Sequence, residues 1–316
     1  MKFALHQLAK ALVLGTAYAA SPSNHVRNFG WPSTFLETNG VAIGWLPSNG
    51  NASEGVTSLR YTMTEINARL GAKGATYGMY SHLDSQQYNG YELMEEFDDV
   101  VNSGAIFVPS VMPVLAQGFV GITKDVAYQV ADVMRKFTER GVRIWLRFGH
   151  EMNWYVDPAA EPRYYGTPAE FVVAWQNVAE AVADNPLVQM FWSPNNIGNG
   201  SADVLDPWYP GDKTVDLVGI DCYPNAEYQD FEYMYKNFYD RYSAGKNKPF
   251  AIGETGANAT YKEWWLSQLV GQSRHEYPNY VSMSWFEYLK GDDFRLAMAG
   301  KKVLEETKRT LGLDRY

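Results

Sequence analysis

Val142-Arg143-Ile144-Trp145-Leu146-Arg147-Phe148-Gly149-His150-Glu151-Met152-Asn153-Trp154 joins an apolar run to a cluster of charge. The first half reads as a buried strand. A carboxylate placed at the end of such a strand is desolvated, and desolvation moves its pKa rather than leaving the group idle. A second strand-end carboxylate follows far downstream in Pro249-Phe250-Ala251-Ile252-Gly253-Glu254-Thr255-Gly256. The fold has to explain both.

Strand-like and helix-like patterns alternate on either side of these stretches. The runs Val41–Leu46, Thr76–Tyr80, Ala105–Pro109, Val142–Leu146, Leu187–Trp192, Val215–Asp221, the stretch leading to Glu254, and Val281–Phe286 read as strands. Between them, apolar residues recur at helical spacing: Leu59, Met63, Ile66 and Leu70; Leu93, Phe97 and Val100; Val126, Val130, Val133 and Phe137; Phe231, Tyr235, Phe238 and Tyr242. Trp264, Trp265 and Leu269 mark a further helix, and Phe294, Met298 and Leu304 a last one. Thr123 is placed to cap the third helix, and Thr167-Pro168-Ala169-Glu170 forms a capping box with proline at the first helical position. The segment after Trp192 reads as a long loop. Eight strand–helix units in one chain of 316 residues predict an α/β fold, a single-domain (β/α)8 TIM barrel over 21–316. A doubly wound sheet would show G-x-G-x-x-G in its first strand–helix turn, and none is present.

Composition narrows the function. The net charge of −9 offers nothing to neutralise phosphate, so no nucleic-acid partner is expected. Tyrosine (22) and tryptophan (10) are abundant enough to supply flat faces for sugar rings, although large α/β cores also use them. Residues 1–20 read as a secretory signal peptide, with Lys2, the apolar stretch Ala11–Ala20 and a small-x-small site at Ala17-Tyr18-Ala19. An N-terminal helix of the mature fold is the alternative. Sequons at Asn51, Asn199 and Asn258 agree with a secreted, extracellular protein. No other segment is long and apolar enough to span a membrane. The single cysteine, Cys222, rules out an intrachain disulfide and reads as a buried thiol. A monomer is expected.

Barrel active sites lie at the C-terminal ends of the strands. That rule gathers Glu151, Glu254, Asp221, Tyr223, Trp192 and Trp285 into one mouth. Two carboxylates across an aromatic-lined cleft suit glycoside hydrolysis, in which one protonates the departing oxygen while the other attacks or activates water. Phe148 and Trp154 would raise the pKa of Glu151, while Tyr223 and Arg147 would donate to Glu254. Arg147 reads equally as a plain structural ion pair, and the tryptophans as rim packing. No G-x-S-x-G elbow is present. His82, Asp84, His150 and Asp221 lack the spacing of a metal site, so neither metal nor cofactor is expected.

His150-Glu151-Met152-Asn153, Trp192-Ser193-Pro194-Asn195, Trp208-Tyr209-Pro210-Gly211-Asp212 with Val218-Gly219-Ile220-Asp221, and Gly253-Glu254-Thr255-Gly256 resemble the family 26 glycoside hydrolases. That family holds β-mannanases, some mixed-linkage β-glucanases and β-1,3-xylanases on (β/α)8 barrels. The resemblance runs from the fourth strand to the eighth. It implies Glu151 as acid/base and Glu254 as nucleophile, in a retaining mechanism. It further implies that His150, Asp221 and Tyr223 contact the central sugar or the nucleophile, with Trp285 as a platform. Trp154 and Trp192 are added as sugar-binding candidates, and Asn195 as support. The implied partner is a polysaccharide, β-1,4-mannan first, then a β-1,3/1,4-glucan or β-1,3-xylan. A catalytically silent carbohydrate-binding barrel and an inverting enzyme are the rivals. Three departures bear on the sugar. Trp154 stands where a mannanase has glycine, Val108–Met112 holds no histidine while His82 sits on the second strand, and Phe286-Glu287-Tyr288 follows Trp285.

Overall fold

The computed structural model describes residues 29–272 and 275–314, so the signal peptide expected over 1–20 lies outside the described residues. The described residues from Trp31 onward form one compact unit, the barrel. Its strands are β1 (Val41–Pro47), β2 (Thr76–Leu83), β3 (Ile106–Pro113), β4 (Ile144–Phe148), β5 (Val188–Trp192), β6 (Leu217–Val218), β7 (Phe250–Thr255) and β8 (Tyr280–Glu287). Each pairs in parallel with the next, and β8 closes on β1 in the register Ala42↔Ser282 to Pro47↔Glu287. The predicted (β/α)8 barrel is therefore the fold. Between β1 and β2 runs α1 (Met63–Leu70); α2 (Phe97–Ser103), α3 (Lys124–Thr138) and α4 (Pro168–Val182) follow β2, β3 and β4. After β6, β7 and β8 come α5 (Phe231–Phe238), α6 (Lys262–Val270) and α7 (Lys301–Thr310). A 3-10 stretch, Ala202–Trp208, serves where a helix would link β5 to β6.

Local chemistry sets these bounds. At α4, Thr167 Oγ1 accepts from Glu170 N (3.3 Å) while Glu170 Oε2 accepts from Thr167 N (2.7 Å), a reciprocal cap that contributes about 1 kcal/mol. Phe171, Trp175, Val178 and Val182 then face the sheet, each contributing roughly 1.5–3 kcal/mol on full burial. Two helix-face expectations fail at their ends. Leu59 is exposed and precedes α1, whose own capping box starts at Thr62. Phe294 and Met298 belong to a loop that precedes α7.

Every residue of β1, β3, β4, β7 and β8 is buried, as expected when one face meets helices and the other fills the barrel. The interior face is fixed by Thr76 Oγ1 bonding Ser284 Oγ at 2.7 Å, with Gly44 beside them where a Cβ would lie 1.6 Å from that hydroxyl. Residues 78, 80 and 82 of β2 and 282, 284 and 286 of β8 share this interior parity. β6 is only two residues long. Single bridges Asn195↔Asp221 and Cys222↔Thr255 carry its alignment up to the mouth.

Candidate active site

Arg147 is the hub of the mouth. Wholly buried on the interior face of β4, its guanidinium donates to Asp221 Oδ2, to Glu254 Oε2 (3.3 Å), to Ser110 Oγ (3.0 Å) and to Ser193 Oγ (3.0 Å). Ser193 Oγ in turn donates to Asp221 Oδ1 (2.8 Å). The choice between donor and plain ion pair resolves as both, since one guanidinium bridges two carboxylates. Gly253 makes this geometry possible: a Cβ there would lie 2.6 Å from Arg147 Nε.

The rest of Gly253-Glu254-Thr255-Gly256 follows the same logic. Glu254 Oε1 accepts from Tyr223 Oη at 2.7 Å, and a Cβ on Gly256 would crowd the Tyr223 ring at 3.2 Å. Thr255 Oγ1 donates to Cys222 O (2.6 Å) and accepts from Trp265 Nε1 (2.8 Å), tying β7 to the segment that carries Tyr223.

Glu151 reaches the same point from β4 by a strained turn. Its φ of 51° lies in the left-handed region, one residue pair after Gly149 at 57°. A non-glycine residue there costs on the order of 1–2 kcal/mol. The turn is held by Gly149 N donating to Val111 O (2.8 Å), Glu151 N to Ser193 O (2.8 Å) and Tyr155 N to Glu151 O (3.0 Å). Asn153 clamps the Asn195 backbone through both amide atoms (2.8 and 3.1 Å), and the Asn195 side chain beside Glu151 favours the ionised carboxylate against the larger effect of burial.

Carboxylate oxygens of Glu151, Asp221 and Glu254 all lie within 4.8 Å of one another. Burial, followed by the nearby Glu254 and Asp221 charges, drives the Glu151 carboxyl well above its ordinary range. Burial also pushes Asp221 up to about 8 against the pull of Arg147. Arg147 pairs with Asp221 and Glu254, which leaves Glu151 without an ion-pair partner among the described residues and favours its protonated form. His150 is buried with Nε2 4.0 Å from Glu254 Oε2, and desolvation plus Arg147 keep its imidazole neutral.

A cleft of about 670 Å³ opens over Glu254. Its aromatic walls correct the sequence reading. Trp285 has outward parity: it is fully buried and its indole donates to Phe294 O (2.7 Å). Phe286, one residue on, faces the cleft and stacks on Tyr288 at 4.0 Å. Trp192 is likewise buried, stacked on Phe238 (5.7 Å) and edge-on to Tyr242 (4.9 Å). Neither tryptophan lines the cleft. Trp154 is 53% exposed on the short helical turn Met152–Tyr155, and Phe148 lies on the face of β4 opposite Arg147, so neither walls in Glu151. Tyr155 does line the cleft, its ring 5.6 Å from His150. Tyr80, Tyr155, Phe286 and Tyr288 were missed; interior parity counted from Thr76 and Ser284 identifies Tyr80 and Phe286.

The profile described as Glycosyl hydrolase family 26 matches residues 114–301, more than half of the chain. The chain belongs to glycosyl hydrolase family 26. A mannan endo-1,4-beta-mannosidase of Bacillus subtilis (strain 168) is 26% identical over 160 residues, which are 48% of this chain and 41% of that protein. A GH26 beta-mannanase from Bacteroides ovatus superposes with a TM-score of 0.62 at 14% identity, covering 88% of this chain and 89% of that one. A modular endo-beta-1,4-mannanase from Cellulomonas fimi gives 0.59 at 16% identity, over 87% and 71%. The family 26 match begins just after β3 and takes in Glu151, Asp221, Glu254 and the whole of β8.

Proposed function

We propose that this family 26 barrel is a retaining endo-β-glycanase, with β-1,4-mannan as its first substrate. The observation that carries the mechanism is the spacing of Glu151 and Glu254 oxygens, within 4.8 Å. Retaining enzymes hold their carboxyls about 5–5.5 Å apart, whereas inverting ones need about 6.5–9.5 Å to admit water. Glu151, protonated with Asn195 beside it, gives its proton to the leaving oxygen. Glu254 attacks the anomeric carbon while Tyr223 and Arg147 hold its two oxygens in line. Once a glycosyl-enzyme has formed, Glu151 as carboxylate takes a proton from the incoming water while the water oxygen bonds the anomeric carbon and the ester to Glu254 breaks, restoring both carboxyls. An intact pair argues against a silent binding barrel.

The names of the Bacillus, Bacteroides and Cellulomonas relatives support mannan. Secretion rests on the N-terminal pattern and the sequons. Asn199 is exposed and open to a glycan, whereas Asn51 lines the cleft with its amide donating to Glu54 Oε1 at 2.6 Å.

The test is a reducing-sugar screen over mannan, barley glucan, laminarin and xylan, with NMR of the first anomer released. Mannan hydrolysis with retained configuration is expected. An inverted first product would sink the mechanism, and activity only on another polymer would sink the substrate.

A further inference from the structure

A second polar cluster lines the cleft away from Glu151. β2 runs beyond Tyr80, so His82 shares its interior face one repeat, about 7 Å, nearer the mouth. Glu92, from the turn Tyr91–Met94, accepts from His82 N with one oxygen and bonds His82 Nδ1 at 2.9 Å with the other. A carboxylate so placed accepts a hydrogen bond from Nδ1–H, which fixes the ring and leaves Nε2 free to meet a ligand. Glu54, from the 3-10 turn after β1, is pinned by Asn51 Nδ2 (2.6 Å) and Asn49 Nδ2 (3.2 Å). Ligand atoms of Glu54, His82 and Glu92 lie within 4.8 Å of one another, and the His82 and Glu92 side chains each remain 22% exposed.

A purely structural cluster would leave no polar group wanting. Below it, however, the Tyr80 hydroxyl lines the same cleft, is buried, and has no hydrogen-bond partner among the described residues. A buried hydroxyl without a partner costs about 1–3 kcal/mol unless something entering the cleft supplies one. The stacked Phe286–Tyr288 pair offers a flat apolar face on the same cleft. Fixed acceptors, an imidazole nitrogen and an aromatic face are the set that holds a pyranose by adjacent hydroxyls and its C–H face. The carboxylates on this wall repel an acidic sugar.

We infer that Glu54, His82 and Tyr80 form a binding subsite for an uncharged pyranose unit, running from the Tyr80 ring beside His150 (5.5 Å) outward to Glu54, with Glu92 as the positioning residue that orients His82. This deepens the polysaccharide reading of the cleft and rests on it.

The test is calorimetric titration of full-length Glu254→Gln with β-1,4-linked hexaoses of mannose, glucose and xylose. The variants His82→Ala, Glu92→Ala and their combination are then added on that background. Tyr80→Phe, which keeps the ring and removes only the hydroxyl, covers the case in which His82→Ala fails to fold. The best hexaose should bind about tenfold more weakly to His82→Ala, the loss of one hydrogen bond. Glu92→Ala should match it, and the double variant should be no weaker than His82→Ala alone. Affinities within twofold of the parent for His82→Ala and Tyr80→Phe, or no hexaose binding at all, would overturn the subsite. Turnover by the wild type separates the two readings. His82-dependent binding without hydrolysis keeps the subsite and defeats the glycanase, whereas hydrolysis with His82-independent binding does the reverse.

Discussion

Two carboxylate clusters share one barrel mouth and one spacing, yet they differ in kind. Glu151, Asp221 and Glu254 surround Arg147, as Glu54 and Glu92 accompany His82, and each set brings its ligand atoms within 4.8 Å. The first is buried around a permanently charged guanidinium, and one member, Glu151, has no basic partner. The second is half open, with its carboxylates held by amide and imidazole donors. Carboxylate number does not make an acid catalyst. Burial does, because desolvation with other carboxylates close by raises the Glu151 carboxyl well above its ordinary range.

The sharpest break in the comparison comes from catalysis. Glu254→Ala should lower kcat by about 10⁴-fold or more, and Glu151→Ala by about 10²–10⁴-fold on a substrate with a poor leaving group. With Glu151 intact, kcat/KM should fall as pH rises through its raised pKa, because the acid must be protonated. A pH–rate profile with no alkaline limb would remove Glu151 from that role.

Next comes the hub. Arg147→Met should destabilise the fold by about 3–5 kcal/mol in denaturant melts, since it strands two buried carboxyls. His82→Ala should shift the same melt by about 1 kcal/mol or less, as expected of a half-exposed pair. Equal shifts would erase the distinction between the clusters.

A parity test follows. Phe286→Ala should raise KM several-fold with kcat little changed, by removing part of the cleft's apolar face. Trp285→Phe should leave KM unchanged and cost about 1–3 kcal/mol of stability through lost packing and the unmet Phe294 carbonyl. The reverse pattern in Michaelis constants would restore Trp285 as a platform.

A pH effect concerns Glu287, a carboxyl in neither cluster. Buried and accepting from Leu296 N (3.0 Å) and Met298 N (2.6 Å), it is pushed up to about 7 by burial. In the unfolded chain it ionises from about pH 4.5 upward, so stability is highest below that value, falls toward 7 and levels beyond. The slope is at most about 1.4 kcal/mol per pH unit, and Glu287→Gln should flatten that part of a stability–pH curve.

The legible features were those with a local signature. The Thr167–Glu170 cap, the alternation of strands and helices and the two strand-end glutamates all follow from neighbouring residues. Asp221 and Tyr223 were found for the same reason, at the end of an apolar run. Trp192 and Trp285 misled because strands buried on both faces lack the polar–apolar alternation that would tell inward from outward. A phase error of one residue then exchanged Trp285 for Phe286. Tyr80 and His82 are legible as second-strand residues, but the run Thr76–Tyr80 does not itself tell which face is interior, and β2 continues to Leu83.

Gly253 and Gly256 carry a consequence for sequence variation. Each is the cast of side chains elsewhere, Gly253 of the Arg147 guanidinium and Gly256 of the Phe294 and Tyr223 rings. Alanine at 253 should become tolerable only when residue 147 is shortened, and alanine at 256 should press on both the Phe294 and Tyr223 rings (3.1 and 3.2 Å). Gly253 and Arg147 should therefore mutate together, and an isolated Gly253→Ala would displace Glu254 without altering a single polar atom.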